Sequence, residues 1–172
     1  MKEISIFSNV NTYLPLLNSV LITDVLYMFI LYYTNLINSK ILERWYQTYR
    51  LSGVLADVTI IMLGFIITRY LYYKIFNKFS LLKFALLLLT VQIIHDILFA
   101  FLFYNIPKGV NKMIDLFKDY GDELGYKAIL GDSSMMIVSL IILLLIKDFT
   151  LNSNIIILIV TLYVLPYILY TK

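Results

Sequence analysis

Hydrophobic positions along the chain gather into five long blocks separated by short polar stretches. The blocks cover about 14–37, 51–73, 81–104, 126–146 and 154–170. A helix rises about 1.5 Å per residue, so roughly 20 apolar residues cross a hydrocarbon core. Each block is about that long, the last being the shortest. None alternates between apolar and polar with period two, and each is about twice the length of a barrel strand, so a β-barrel wall is excluded. The pattern predicts an all-α integral membrane protein, a single transmembrane helical domain over residues 1–172. The stretch from Met1 to Tyr13 does not read as a cleavable signal. The apolar run after it is too long and no small-x-small cleavage site follows, so the first block is expected to be a retained span. No myristoylation or prenylation motif is present.

The connectors differ from one another. Residues 38–50 carry Lys40, Glu43, Arg44 and Arg50 beside Trp45, Tyr46 and Tyr49, side chains suited to anchoring at a membrane–water boundary. Residues 74–80 form a tight basic turn, and residues 147–153 a short polar one. In the longest connector, Val110, Met113, Ile114, Phe117 and Leu124 keep helical spacing, while Lys112, Asp115, Lys118, Asp119 and Asp122 take the opposite face. That pattern predicts an amphipathic interfacial helix over about 107–121, opened by Pro107 and closed by Gly121 or Gly125. It would either lie in the membrane plane or pack on the protein, two readings of equal weight. No internal repeat and no inverted hydropathy halves stand out. Lysines and arginines slightly favour the side holding Lys40, Arg44, Arg50, Lys108, Lys112, Lys118 and Lys172 as cytoplasmic.

Composition agrees with the pattern. Hydrophobic residues make up 61% of the chain, against about half in soluble domains. A net charge of +3 without a dense basic tract gives no argument for a nucleic-acid partner; the partner implied is the lipid bilayer. The chain has no cysteine, which excludes disulfides, thiolate sites and Cys-based zinc sites. G-x-S-x-G, H-E-x-x-H and P-loop signatures are missing, and a single histidine excludes a two-His metalloprotease.

Chemistry, if any, must come from ionisable residues inside the spans, which are costly there and face protein or water. Alternating span directions place Asp57, His95, Asp96 and Asp132 at similar depth in one leaflet, with Gln92 on the stripe of His95 and Asp96 and Ser133 beside Asp132. These residues form a candidate polar pocket. His95, Asp96, Asp57 and Asp132 could hold a divalent cation, relay a proton or act as acid and base on a lipid head group. They could equally lock neighbouring helices together by hydrogen bonds. A second set, Asp24 with Arg69 or Lys83, is expected in the opposite leaflet as an ion pair or as snorkelling cations.

The stretches Gly53-Val-Leu-Ala-Asp57, Gln92-Ile-Ile-His95-Asp96, Gly109 to Tyr120 and Gly131-Asp132-Ser133 resemble an uncharacterised multi-pass membrane protein family of giant, nucleocytoplasmic large DNA viruses. The similarity covers about Leu51 to Tyr170. It implies a place in a viral or host membrane, including a virion's internal lipid layer, with other membrane or capsid proteins as partners. It supplies no catalytic roles. The leading expectation is a small structural or assembly protein whose buried acidic cluster organises the bundle. The rivals are a proton or cation channel or transporter, and an intramembrane lipid-acting enzyme.

Overall fold

A computed structural model describes residues 2–171. Five helices are long and apolar enough to cross a membrane. They are α1 (Tyr13–Tyr33), α3 (Leu51–Ile75), α4 (Leu81–Asn105), α6 (Tyr126–Ile146) and α7 (Leu151–Leu169). Two shorter helices, α2 (Lys40–Tyr49) and α5 (Lys112–Leu124), join α1 to α3 and α4 to α6. Two 3-10 turns, Lys2–Ser5 and Val10–Thr12, precede α1. The long helices expose apolar side chains on their outer faces, such as Leu86, Ile94, Leu98 and Phe101 on α4 and Ile156, Ile159 and Tyr163 on α7. Water would solvate such a surface poorly, and lipid tails solvate it well.

Helix boundaries depart from the sequence expectation at two places. The first span stops at Tyr33 rather than continuing to Ile37, and Thr34 caps it in an extended conformation. The connector helix begins at Lys112, five residues beyond Pro107. Asn111 is its N-cap, accepting from the N–H groups of Met113 and Ile114 at 2.9 and 3.3 Å. It runs through Gly121 and ends at Gly125. The sequence reading has no counterpart for α2. Ser39 caps it, accepting from the Leu42 N–H at 3.4 Å.

The spans α1, α3, α4 and α6 form a ring, each packed on the next in the order α1, α3, α4, α6 and back to α1. Neighbours in this ring run antiparallel. The two short helices pack on each other across one end of the ring, the cap side. Trp45 of α2 meets Phe117 of α5 at a centroid distance of 4.7 Å, and Phe103 of α4 stacks on Phe117 at 5.3 Å. Met113, Phe117, Tyr120 and Leu124 of α5 pack partly against the protein core. The seventh helix lies outside the ring, against α1. Buried Asn18 donates to the Asn154 carbonyl at 2.8 Å, and Arg50 donates to the Leu169 carbonyl at 2.7 Å.

The ring is built twice from one pattern. Span, cap helix, sharp corner and returning span occur as α1–α2–α3 and again as α4–α5–α6. The corners are nearly identical in backbone: Arg50 at φ 49, ψ −127 and Gly125 at φ 52, ψ −128. Packing obeys the same exchange, because α1 on α3 answers α4 on α6, and α1 on α6 answers α4 on α3. With this register, Leu21-Ile-Thr-Asp24-Val-Leu-Tyr27 aligns with Ile93-Ile-His-Asp96-Ile-Leu-Phe99. Likewise Gly53-Val-Leu-Ala-Asp57-Val-Thr59 aligns with Ala128-Ile-Leu-Gly-Asp132-Ser-Ser134. The chain thus contains an internal repeat with both units in the same orientation, which hydropathy blocks alone do not reveal.

Candidate functional site

Asp57 and Asp132 each lie seven residues beyond a corner, and Asp24 and Asp96 each lie nine residues before the cap-side end of their span. At 1.5 Å per residue all four carboxylates sit about 9–14 Å below the cap side. Each span of the ring contributes one. Asp24 therefore belongs to the same layer as Asp57, not to the opposite leaflet.

Donors for this layer come largely from the cap. Trp45 Nε1 donates to Asp57 Oδ2 at 3.0 Å, and the Tyr46 hydroxyl donates to Asp24 Oδ1 at 2.9 Å. The same hydroxyl stands beside the Asp57 carboxylate. Trp45 and Tyr46 are both buried, at 5% exposure, so they are ligands of the acidic layer rather than interface anchors. Gln92 Nε2 donates to Asp96 Oδ1 at 2.6 Å, and His95 Nδ1 lies 3.2 Å from that oxygen. His95 and Asp96, although adjacent in sequence, thus touch through their side chains. The His95 ring also lies 4.7 Å from Phe99. Asp132 is within electrostatic reach of Asp96 and Asp57, and Tyr120 of α5 senses Asp132, Asp57 and Asp96 together. Burial first, and these anions second, hold the Tyr46 and Tyr120 hydroxyls above the ordinary tyrosine range.

The predicted set is thus largely convergent, with changes at its edges. Ser133 makes no side-chain hydrogen bond among the described residues; its neighbour Ser134 bonds Tyr27 at 2.6 Å. Asp24, Trp45, Tyr46 and Tyr120 join. For Asp24 and Asp96 the signal was the repeated Asp-Val/Ile-Leu-Tyr/Phe string. For the aromatic donors it was the apolar spacing of Ile41, Leu42, Trp45, Tyr46 and Tyr49, which fits a helix.

The proposed ion pair is not formed. Among the described residues Asp24 contacts neither Arg69 nor Lys83. Arg69 is buried near the opposite end of α3, where its Nη2 donates to the Ile6 and Asn9 carbonyls at 2.5 and 2.9 Å and to Thr12 Oγ1 at 2.5 Å. Its guanidinium stacks over the Tyr13 ring at 4.3 Å. Lys83 sits over the Phe76 ring at 5.2 Å. Depth explains the separation: about 18 Å of α3 lies between Asp57 and Arg69.

No family model matches the chain, and neither a curated protein nor a solved structure aligns with it significantly. What the site can do must be argued from its own geometry. Among the described residues no three His, Asp or Glu groups come together closely enough to hold one metal ion, so His95, Asp96, Asp57 and Asp132 do not form a divalent-cation cage. Towards the opposite side the bundle interior is packed. Leu16, Val20, Phe65, Phe84, Leu88 and Met136 are fully buried, and a Cβ on Gly64 would come within 2.4 Å of Met136 Cε. Polar groups in this floor are spent on one another: Ser139 donates to Thr23 at 2.9 Å, and Thr23 to the Ser19 carbonyl at 2.8 Å.

Proposed function

We propose that this chain is a structural or assembly component of a membrane, in which a layer of four aspartates locks four spans and two cap helices into one body. One observation carries the reading: Asp57 and Asp24 are tied to the cap helix α2 by dedicated donors, Trp45 and Tyr46, while the bundle interior beneath the layer is packed. A channel or transporter needs a hydrated route past the layer, and the packed side chains of the floor work against one. The resemblance to the giant-virus family supports a viral or host membrane as the location, and membrane or capsid proteins as neighbours.

Reconstitution into sealed liposomes tests the proposal. Wild-type vesicles are expected to show no proton or cation flux above protein-free vesicles. Asp57→Asn and Asp96→Asn are expected to lower the thermal unfolding temperature. Flux in wild-type vesicles that is lost in a folded Asp96→Asn variant would sink the structural reading in favour of transport. Location is checked by fractionating purified virions: the protein should follow the internal lipid layer.

A further inference from the structure

The turn between α3 and α4 stands at the end of the ring opposite the cap. Between Asp57 and Asp96 the chain has no acidic residue, yet it carries Lys74, Lys78 and Lys83 around this turn. Lys74 is the last residue but one of α3 and Lys83 the third of α4, so both leave their helices within about 3 Å of a span end. Lys78 lies between them in the turn. All three are exposed, and none forms an ion pair among the described residues. We propose that this turn is a docking surface for anionic phospholipid, its three ammonium groups holding the phosphate-bearing head groups of the surrounding leaflet. The inference goes beyond the structural reading above and names the lipid class that the bundle selects.

The protein itself fixes the turn. Tyr72 is fully buried, and its hydroxyl accepts from the Ser80 N–H at 2.8 Å and donates to the Ser80 carbonyl at 3.1 Å. Its ring packs on Phe76, Phe79 and Phe84 at centroid distances of 5.2, 5.9 and 5.6 Å. The lysines therefore start from a set backbone and lose less freedom on meeting a ligand. Two are also steadied at their tips. Lys74 donates to the Tyr70 hydroxyl at 2.6 Å, its Nζ 4.0 Å from that ring's centroid, and Lys83 Nζ lies 5.2 Å from the Phe76 ring. Tyr70 and Tyr73 are exposed here, at a level where amphipathic rings meet head groups. Lysine stems lie along such apolar surface and keep the ammonium at the boundary. Charge decides the occupant. The first turn of α4 holds no acidic residue, so the positive end of that helix meets Lys83 instead of a carboxylate. Arg69, the remaining cation of this hairpin, is buried and spent on the Ile6 and Asn9 carbonyls. The cap differs, because Glu43, Asp115, Asp119, Asp122 and Glu123 share it with its lysines and arginines. There Asp119 takes both Arg44 at 3.7 Å and Lys108 at 3.1 Å. A zwitterionic head group would bring its own cation into the field of the turn, whereas an anionic one brings only negative charge. Basic clusters beside a span attract anionic lipid in this way.

Full-length protein, purified in detergent and stripped of lipid, gives the test. It is titrated with dioleoyl phosphatidylglycerol or dioleoyl phosphatidylcholine, and bound lipid is counted by native mass spectrometry. The wild type should take its first phosphatidylglycerol about tenfold more tightly than phosphatidylcholine. The Lys74→Gln, Lys78→Gln, Lys83→Gln triple variant should lose that preference. A matched variant, Lys40→Gln, Lys112→Gln, Lys127→Gln, removes three exposed charges from the cap and should keep it. Should the first triple variant fail to fold, Lys78→Gln alone decides, with a preference about threefold weaker than the wild type's. No preference in the wild type, or a full preference in the folded turn variants, would overturn the proposal. Equal losses in the two triple variants would overturn it as well, since net charge rather than this turn would then do the attracting. Inorganic phosphate in excess should not displace the lipid; displacement would make the turn a site for soluble anions and end the lipid assignment. Neither flux nor unfolding enters these measurements, so the structural reading can fail or survive separately.

Discussion

Among the described residues Tyr46 supplies the only hydrogen-bond donor to Asp24, a fully buried carboxylate. Tyr46→Phe should therefore cost about 1–3 kcal/mol, the usual penalty for stranding a buried polar group. Thermal unfolding in detergent would measure it, and adding Asp24→Leu should recover much of the loss because both partners are then apolar. The tyrosines also make a pH prediction. Burial and neighbouring carboxylates hold the Tyr46 and Tyr120 hydroxyls high in the folded protein. Their contribution to stability is complete below about pH 10, the unfolded tyrosine value, and is lost as pH rises from there through the raised folded value. In an alkaline titration followed by tyrosinate absorbance, these two of the 15 tyrosines should ionise only with unfolding. Tyr46→Phe and Tyr120→Phe should each shrink that late phase. At this scale the sequence was informative about Gln92, His95 and Asp96, which share one helical stripe. It misplaced Asp24 because depth was counted on a block extended to Ile37; ending the helix at Tyr33 moves Asp24 toward the cap side. Trp45 and Tyr46 misled for a chemical reason: the same amphipathic rings serve an interface or a buried carboxylate, and only packing separates the two.

At the scale of elements, the spans were legible because twenty apolar residues admit little besides a membrane helix. The short helix α2 was not, since ten residues of mixed polarity offer a weak pattern and its stability comes from neighbours. Its packing partner provides a test. Phe117 bridges Trp45 and Phe103, so Phe117→Ala should loosen the cap at a cost of about 2–3 kcal/mol, somewhat less than truncation of a fully buried ring. Trp45 emission should shift to longer wavelength in that variant. The corners offer another. A Cβ at Gly125 meets open space, so Gly125→Ala isolates the backbone cost of the positive φ, about 1–3 kcal/mol in chemical unfolding. Arg50 already bears that cost in the first unit, where its guanidinium ties α7 to the ring through Leu169 and lies 4.9 Å from the Tyr170 ring.

For the whole molecule, the repeat was hidden in the sequence because hydropathy records that a position is apolar, not which corner it follows. Aligning the two corners brings Asp57 with Asp132 and the small residues Gly53 and Ala128 into register, and aligning the span ends Tyr33 and Asn105 brings Asp24 with Asp96 and Tyr32 with Tyr104. The seventh helix has no counterpart and breaks the symmetry, covering α1 but leaving the equivalent face of α4 bare.

That each unit carries its own donors bears on how the chain is made. Asp24 leaves the ribosome first, and Tyr46 follows 22 residues later, within the same hairpin. Asp57 arrives next to an indole that is already synthesised. A nascent first hairpin can therefore enter lipid with each of its acids already holding a donor, without waiting for the second, and α7 is free to dock last over a finished bundle.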